Sequence, residues 1–191
     1  MNLNKLRDEA YAIAKMNGWH NEEHSNNHWL MLVISEIAEA VNADRNNNHA
    51  DIASFKEIMS DIPSGATLAE HNDWFKKAFE NHVKNTVEDE LSDVVIRCLD
   101  LCGLRKLNAG TVKVEFPTGM DAFTERMYFI CRQLTDRILA SDNAALEFVL
   151  SQAMSYIMEH CYRKDIDLEF FIETKMKYNR LRGYRHGGKK Y

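Results

Sequence analysis

Glu36-x-x-Glu39 and Glu90-x-x-Asp93 are the residues of this chain best placed to do chemistry. Each pair sits inside a long apolar stretch patterned as helix, where a solvated carboxylate is a poor choice. The i, i+3 spacing sets the two acids of a pair about 60° apart on one helix face, so both can reach one ion. Four carboxylates from two helices of one bundle cannot all stay ionised side by side. Like charges at contact distance raise one another's pKa, and such a cluster wants a cation. Ligation by carboxylate oxygens alone selects a hard ion, and the common hard ion that works beside phosphates is Mg²⁺. A solvated helix face explains any single Glu-x-x-Glu just as readily. What singles these out is two pairs, each flanked by apolar residues, on two helices of buried type.

The elements that must position them read as eight helical segments. The periodicity predicts helices over about Leu3–Asn17, Ser25–Arg45, Ala50–Asp61, Thr67–Lys84, Thr86–Leu107, Met120–Ala140, Asn143–Arg163 and Ile166–Leu181. Gly18 stops the first, Ser25 caps the second, and Pro63-Ser64-Gly65 breaks the third from the fourth. The fifth is apolar around most of its circumference, through Val87, Leu91, Val94, Val95, Ile96, Cys98, Leu99, Leu101 and Cys102. Its one polar strip carries Glu90, Asp93, Arg97 and Asp100, and that strip must face water or a site. On the second helix Leu30, Val33, Ile34, Ile37 and Val41 form the apolar face. Glu36 and Glu39 share the opposite strip with Leu32 and Ala43, which a purely solvated face would more often fill with polar residues.

Composition narrows the class. With two prolines, eight glycines and no alternating Val/Ile/Thr run of strand length, 191 residues point to one all-α domain. A net charge of −5 argues against a general nucleic-acid binder, although Lys175 to Tyr191 is strongly basic. The longest apolar run, Trp29 to Ile34, is too short to span a bilayer, and the N-terminus lacks a signal pattern, so a cytoplasmic protein is expected. Cys98, Cys102, Cys131 and Cys161 fall at helix-pattern positions without a C-x-x-C and read as reduced thiols. His20-Asn-Glu-Glu23-His24 fits H-x-x-E-H, with His28 four residues on, which would allow a zinc hydrolase using His20 and His24. Gly18 and Asn21 instead suggest a loop there. Trp74, Phe75 and Phe79 could stack on a base, though at helical spacing they suit packing. Lys175, Asn179 and Arg182 lie at i, i+4 and i+7 on one face and could converge on a polyphosphate, or form a solvated basic helix end.

The chain also echoes itself. Leu91 to Cys102 aligns with Leu150 to Cys161 at an offset of 59, and Glu36 to Val41 with Gln133 to Ile138 at an offset of 97. The offsets differ by 97 less 59, or 38 residues, the length of an insertion over about 47–84. Two related helical hairpins are therefore expected, unless two amphipathic pairs align by chance. In the second, Gln133, Asp136, Val149 and Gln152 replace the four acids, leaving it degenerate.

Glu36-x-x-Glu39 followed by Glu90-Leu-Ser-Asp93-Val-Val resembles the paired motifs of the all-α NTP pyrophosphohydrolases, the MazG-like and dimeric-dUTPase-like superfamily. The ending from Lys175 through Asn179, Arg182, His186, Lys189 and Lys190 to Tyr191 is similar to the basic C-terminal helix and tail of many MazG-like proteins. The likeness covers about Ser25–Asn46 and Thr86–Leu107 plus that terminus. It departs from the family in the longer spacing between motifs and in Ser35, where another Glu often stands. The resemblance implies a helical bundle of the all-α NTP pyrophosphatase type, with an active hairpin over about 25–107. The degenerate hairpin and basic helix would occupy about 119–191. It implies a Mg²⁺-dependent nucleotide pyrophosphohydrolase, Mn²⁺ substituting, which splits a nucleoside triphosphate between its α and β phosphates. Glu36, Glu39, Glu90 and Asp93 would be the metal ligands and catalytic acids, and Lys175, Asn179 and Arg182 would bind substrate. A homodimer is admitted by it, and no membrane or nucleic-acid partner is expected. The contrasting expectation is an inactive helical scaffold that retains ancestral acids.

Overall fold

The computed structural model describes residues 1–135 and 142–188, apart from the side chains of residues 186 and 187. Among these the regular structure is all helical, without strands: α1 Leu3–Met16, α2 Asn26–Arg45, α3 Ile52–Ser60, α4 Leu68–His82, α5 Val87–Arg105, α6 Phe123–Leu134, α7 Asn143–Arg163, α8 Leu168–Leu181 and a final turn α9 Arg185–Gly188. The all-α expectation holds, and helices stand where the periodicity put them. No helix among the described residues is long and apolar enough to cross a membrane.

Local chemistry sets the boundaries. Ser25, Thr67 and Thr86 each accept a backbone N–H from the first turn of the helix they precede, and Glu70 completes a capping box with Thr67. At the end of α1, Gly18 has φ 80°. The Gly18 N–H donates to the Lys15 carbonyl and that of Trp19 to the Ala14 carbonyl, a Schellman closure that needs a left-handed residue at that point. α6 begins at Phe123 rather than at Met120. The Met120 carbonyl accepts Arg126 Nε at 3.0 Å, and Ala122 sits extended at the cap, its N–H donating to Glu125 Oε2. The expected extension to Ala140, and Asp136 with it, lies outside the described residues.

α5 is the axis of the molecule, packed against α1, α2, α7 and α8. The pairs α2–α5, α5–α7, α7–α6 and α6–α2 all touch, which closes a four-helix bundle, while α1 and α8 cover the remaining side of α5. Val94, Val95, Cys98, Leu99 and Cys102 of α5 are all fully buried. Deleting a side chain such as Leu99 to Ala would cost about 2–5 kcal/mol. At Gly103 a Cβ would meet Tyr11 Cβ at 2.6 Å, so glycine there permits the close crossing of α1 on α5. The four cysteines are free, three of them buried.

Burial repeats at the offsets read from the sequence. Trp29, Leu30, Val33 and Ile37 of α2 are buried, and so are Arg126, Met127, Ile130 and Leu134, each 97 residues on. Leu91, Ser92, Val94, Val95, Cys98 and Cys102 of α5 are matched, 59 residues on, by buried Leu150, Ser151, Ala153, Met154, Ile157 and Cys161. The two hairpins thus present the same faces to the shared core.

The stretch between α2 and α5, where the insertion is expected, forms its own helical pair, α3 with α4, docked on α8. A second apolar cluster holds it there: Phe55, Phe75, Ala78, Phe79 and Val83 against Phe171 and Tyr178. Phe79 stacks on Tyr178 at 4.3 Å between centroids, and the Tyr178 hydroxyl donates to Glu80 Oε1 at 2.7 Å. Phe75 and Phe79 are therefore packing residues, and Trp74 of the same run is exposed.

Between α6 and α7, Arg126 Nη1 lies 3.5 Å from His160 Nδ1 in the core. Burial, and then Arg126 and Lys164, push the His160 imidazole down to about 4. A histidine depressed from 6.5 to about 4 contributes stability that is present above 6.5 and lost as pH falls towards 4. Denaturant unfolding of wild type and His160→Gln at pH 7.5 and 4.5 should differ in slope. Wild type is expected to lose about 2–3 kcal/mol more than the variant over that interval. Equal losses would mean that His160 is protonated in the folded protein at no cost.

Candidate active site

The polar strip of α5 floors a cavity of about 330 Å³. α1 contributes Ala10, Ile13 and Ala14, α2 contributes Glu36 and Glu39, and α8 contributes Lys175 and Asn179, while Arg182 reaches the cavity from the extended residue that caps the end of α8 rather than from the helix face expected. Glu90, Asp93, Arg97 and Asp100 of α5 all line it, as do Lys84 and Asn85 from the junction that leads into α5. Glu36, Glu39, Glu90, Asp93, Lys175, Asn179 and Arg182 all line this one cavity, whereas His20, His24, Trp74, Phe75 and Phe79 do not.

Ligand oxygens of Glu36, Glu39 and Glu90 lie within 4.8 Å of one another, the one such group of three among the described residues. Opposite oxygens around an octahedral Mg²⁺ sit about 4 Å apart, so small rotamer changes would close this trio on one ion. Glu36 is 7% and Glu90 3% exposed, whereas Glu39 stands at the open edge. Burial, reinforced by the Asp93 charge, pushes Glu90 up to about 8. The same two causes raise Glu36, although Arg97 Nε donates to its Oε1 at 2.9 Å and partly offsets them. The trio is a set of hard oxygens, two of its three residues buried, with Arg97 on Glu36 as its one ion pair among the described residues, and the residues present fit a divalent cation.

Asp93 is placed differently from the expectation. It is not a member of the trio, and its Oδ2 accepts Lys175 Nζ at 2.7 Å. Lys175 Nζ also donates to Asp89 Oδ2 at 2.7 Å. Lys175 is thus a buried cation clamped between two aspartates of α5 rather than a free donor in the pocket. Burial alone would lower its pKa, but the Asp93 and Asp89 charges outweigh that and raise it. One ammonium serves two carboxylates, so Asp89, driven first by burial, still sits up at about 6. The sequence reading missed Asp89. Its spacing of four from Asp93 was the available signal, since i, i+4 places both on one side of α5.

The acidic run 88–90 at the start of α5 suits the positive end of the helix dipole and divides into three tasks. Glu88 accepts the Ala50 N–H at 2.9 Å and lies 2.9 Å from His49 Nδ1, tying down the start of the insertion. Asp89 holds Lys175, and Glu90 joins the trio. At the other end of the strip, His20 Nε2 lies 2.7 Å from Asp100 Oδ1, and the His20 ring packs on Tyr11 and Trp29. His24 stacks on His28 at 4.1 Å. His20 is thus committed to a buried aspartate, and no histidine belongs to the cluster of close ligand atoms.

Arg182 lies over the Tyr178 ring, 5.5 Å from its centroid. Asn179 Oδ1 is buried with no hydrogen-bond partner among the described residues. Of the basic tail, the His186 side chain and residues 189–191 lie outside the described residues. Against family models, curated proteins and solved structures alike, the chain has no match.

Proposed function

We propose that this chain is a Mg²⁺-dependent nucleoside triphosphate pyrophosphohydrolase of the all-α NTP pyrophosphatase type, yielding a nucleoside monophosphate and pyrophosphate. The observation that carries the reading is the convergence of Glu36, Glu39 and Glu90 in a cavity that also holds Arg182, at the C-cap of α8. The matching burial of the two hairpins supports a duplicated bundle whose second half, with Gln133, Val149 and Gln152 at the aligned positions, serves structure alone.

Glu36, Glu39 and Glu90 would hold Mg²⁺ or Mn²⁺, with Asp93 beside them. Bound there, the ion supplies neutralisation of phosphate charge and activation of the attacking water. The chain's own residues do the rest. Arg97 fixes Glu36 in place through one hydrogen bond, and the Lys175 clamp fixes Asp93. Arg182 offers a planar fork for phosphate oxygens. The unpartnered oxygen of Asn179 is an acceptor, which suits a sugar hydroxyl or a base N–H better than a phosphate. Ile13, Ala14, Ile96 and Met176 give the cavity an apolar side against which a base could lie.

The test is a panel of canonical and modified dNTPs and NTPs, scored for pyrophosphate release with Mg²⁺. Turnover of at least one, lost with chelator and restored by Mg²⁺ or Mn²⁺, is the expected result. No release from any of them would leave a helical scaffold with retained acids.

A further inference from the structure

The cations of the cavity are unequally available. Arg97 is spent on Glu36, and Lys175 on Asp89 and Asp93. Lys84 lines the same cavity, is half-buried, and forms no ion pair among the described residues. It does not come from the two acid-bearing helices. It is the residue with which the inserted helical pair rejoins the bundle, two positions after the end of α4 and two before Thr86, which caps α5.

That backbone is held firmly. The Lys84 N–H donates to the Phe79 carbonyl at 2.9 Å. Asn85 turns left-handed at φ 62°, its N–H donating to Asp89 Oδ2 at 2.9 Å and its carbonyl accepting Asn48 Nδ2 at 2.8 Å. The same Phe79 is stacked on Tyr178 of α8. The root of the Lys84 side chain is therefore fixed between the aromatic cluster and Asp89, two residues before Thr86, whose carbonyl accepts the Glu90 N–H one helical turn on.

We infer that Lys84 is a substrate-binding residue for the polyphosphate chain, and that the inserted α3–α4 pair is part of the active site because it delivers this cation. The inference rests on the proposed function and names a residue for it. A cavity floored by acids repels bare phosphate, and a triphosphate keeps net negative charge even when it arrives with Mg²⁺. Binding therefore needs cations that the acids have not already neutralised. Lys84 answers that requirement from the α5 side of the cavity, and Arg182 from α8.

The probe is tripolyphosphate with saturating Mg²⁺, titrated calorimetrically into the full chain, alongside nucleotide KM and kcat. Lys84→Met should weaken tripolyphosphate binding by about tenfold or more, the usual worth of a charge-assisted hydrogen bond. KM should rise by a similar factor while Mg²⁺ affinity stays within about twofold. Lys84→Arg should recover most of the loss, which a purely structural role would not require. Lys77→Met, on an exposed position of the same inserted pair outside the cavity, controls for general surface charge and should leave binding unchanged. Unaltered tripolyphosphate affinity in Lys84→Met, or an equal loss in Lys77→Met, overturns the inference even if nucleotides are hydrolysed. Lys84-dependent binding in a protein that hydrolyses no nucleotide upholds the anion site and overturns the proposed function instead.

Discussion

Glu90→Gln is expected to abolish nucleotide hydrolysis and, in the same protein freed of metal, to increase stability. Both effects come from one carboxylate that is 3% exposed beside Asp93 and raised to about 8. A carboxyl group whose folded pKa lies above its unfolded value of 4.5 favours folding fully only below 4.5, and that contribution is lost as pH rises towards 8. Glutamine has the same shape and no charge to bury. The metal-free variant should therefore match wild type near pH 4.5 and exceed it at pH 8 by about 2–3 kcal/mol, the roughly 4 kcal/mol of the full shift being reduced by solvent at the open side of the cavity. Millimolar Mg²⁺ should reverse the order, because an ion that binds only the folded wild type stabilises it by mass action. Loss of turnover should reach three or more orders of magnitude if the ion supplies the charge stabilisation of the reaction. The decisive measurement is thermal unfolding of both proteins at pH 5 and 8, with EDTA and with Mg²⁺. A variant that is no more stable than wild type at pH 8 without metal would show that Glu90 is not strained by its neighbours. A variant still stabilised by Mg²⁺ would move the ion away from Glu90.

The helical plan was legible because it is written in periodicity. α5 declared itself the central helix by being apolar nearly all round, and its polar strip had to face a cavity. α2 declared its acids by setting Glu36 and Glu39 among Leu32 and Ala43. What stayed hidden was how charges pair across helices. Pattern alone reveals which face a residue occupies, not which side chain of another helix meets it, so Lys175 looked like a free phosphate ligand until Asp89 and Asp93 were seen around it. Asp89 was masked by its neighbours, since a run of three acids at a helix start is commonplace near the dipole's positive end. Lys84 was harder still. It ends an insertion that carries none of the paired acids, and the docking of Phe75 and Phe79 on α8 together with the start of α5 brings it to the cavity. The H-x-x-E-H pattern falls in a loop, as Gly18 and Asn21 suggest, and the buried partner of His20 is Asp100, 80 residues away.

Lys175→Met should be among the most damaging single changes in the molecule, and damaging to folding before catalysis. Its side chain is 6% exposed with the ammonium 2.7 Å from an oxygen of each aspartate, and the Asp89 side chain is 1% exposed. A buried pair owes much of its apparent worth to what is left when one partner goes, and removing the cation strands Asp89 in the core. The expected cost is about 3–5 kcal/mol, measured by denaturant unfolding. Deprived of Lys175, Asp89 should be raised further than it already is, and a raised acid loses stability as pH rises. The defect should therefore be worse at pH 8 than at pH 5. Adding Asp89→Asn to Lys175→Met should recover much of the lost stability, because the stranded charge is gone. Arg182→Ala, by contrast, breaks no ion pair among the described residues, so its effect should fall on nucleotide KM with stability nearly unchanged. If Lys175→Met instead folds as well as wild type at every pH and merely raises KM, the lysine is a phosphate ligand after all and the clamp is incidental. Lys175 and Arg182 would then share one role. The geometry gives them different ones, since a cation held by two carboxylates has little attraction left for a third anion, while Arg182 keeps its own.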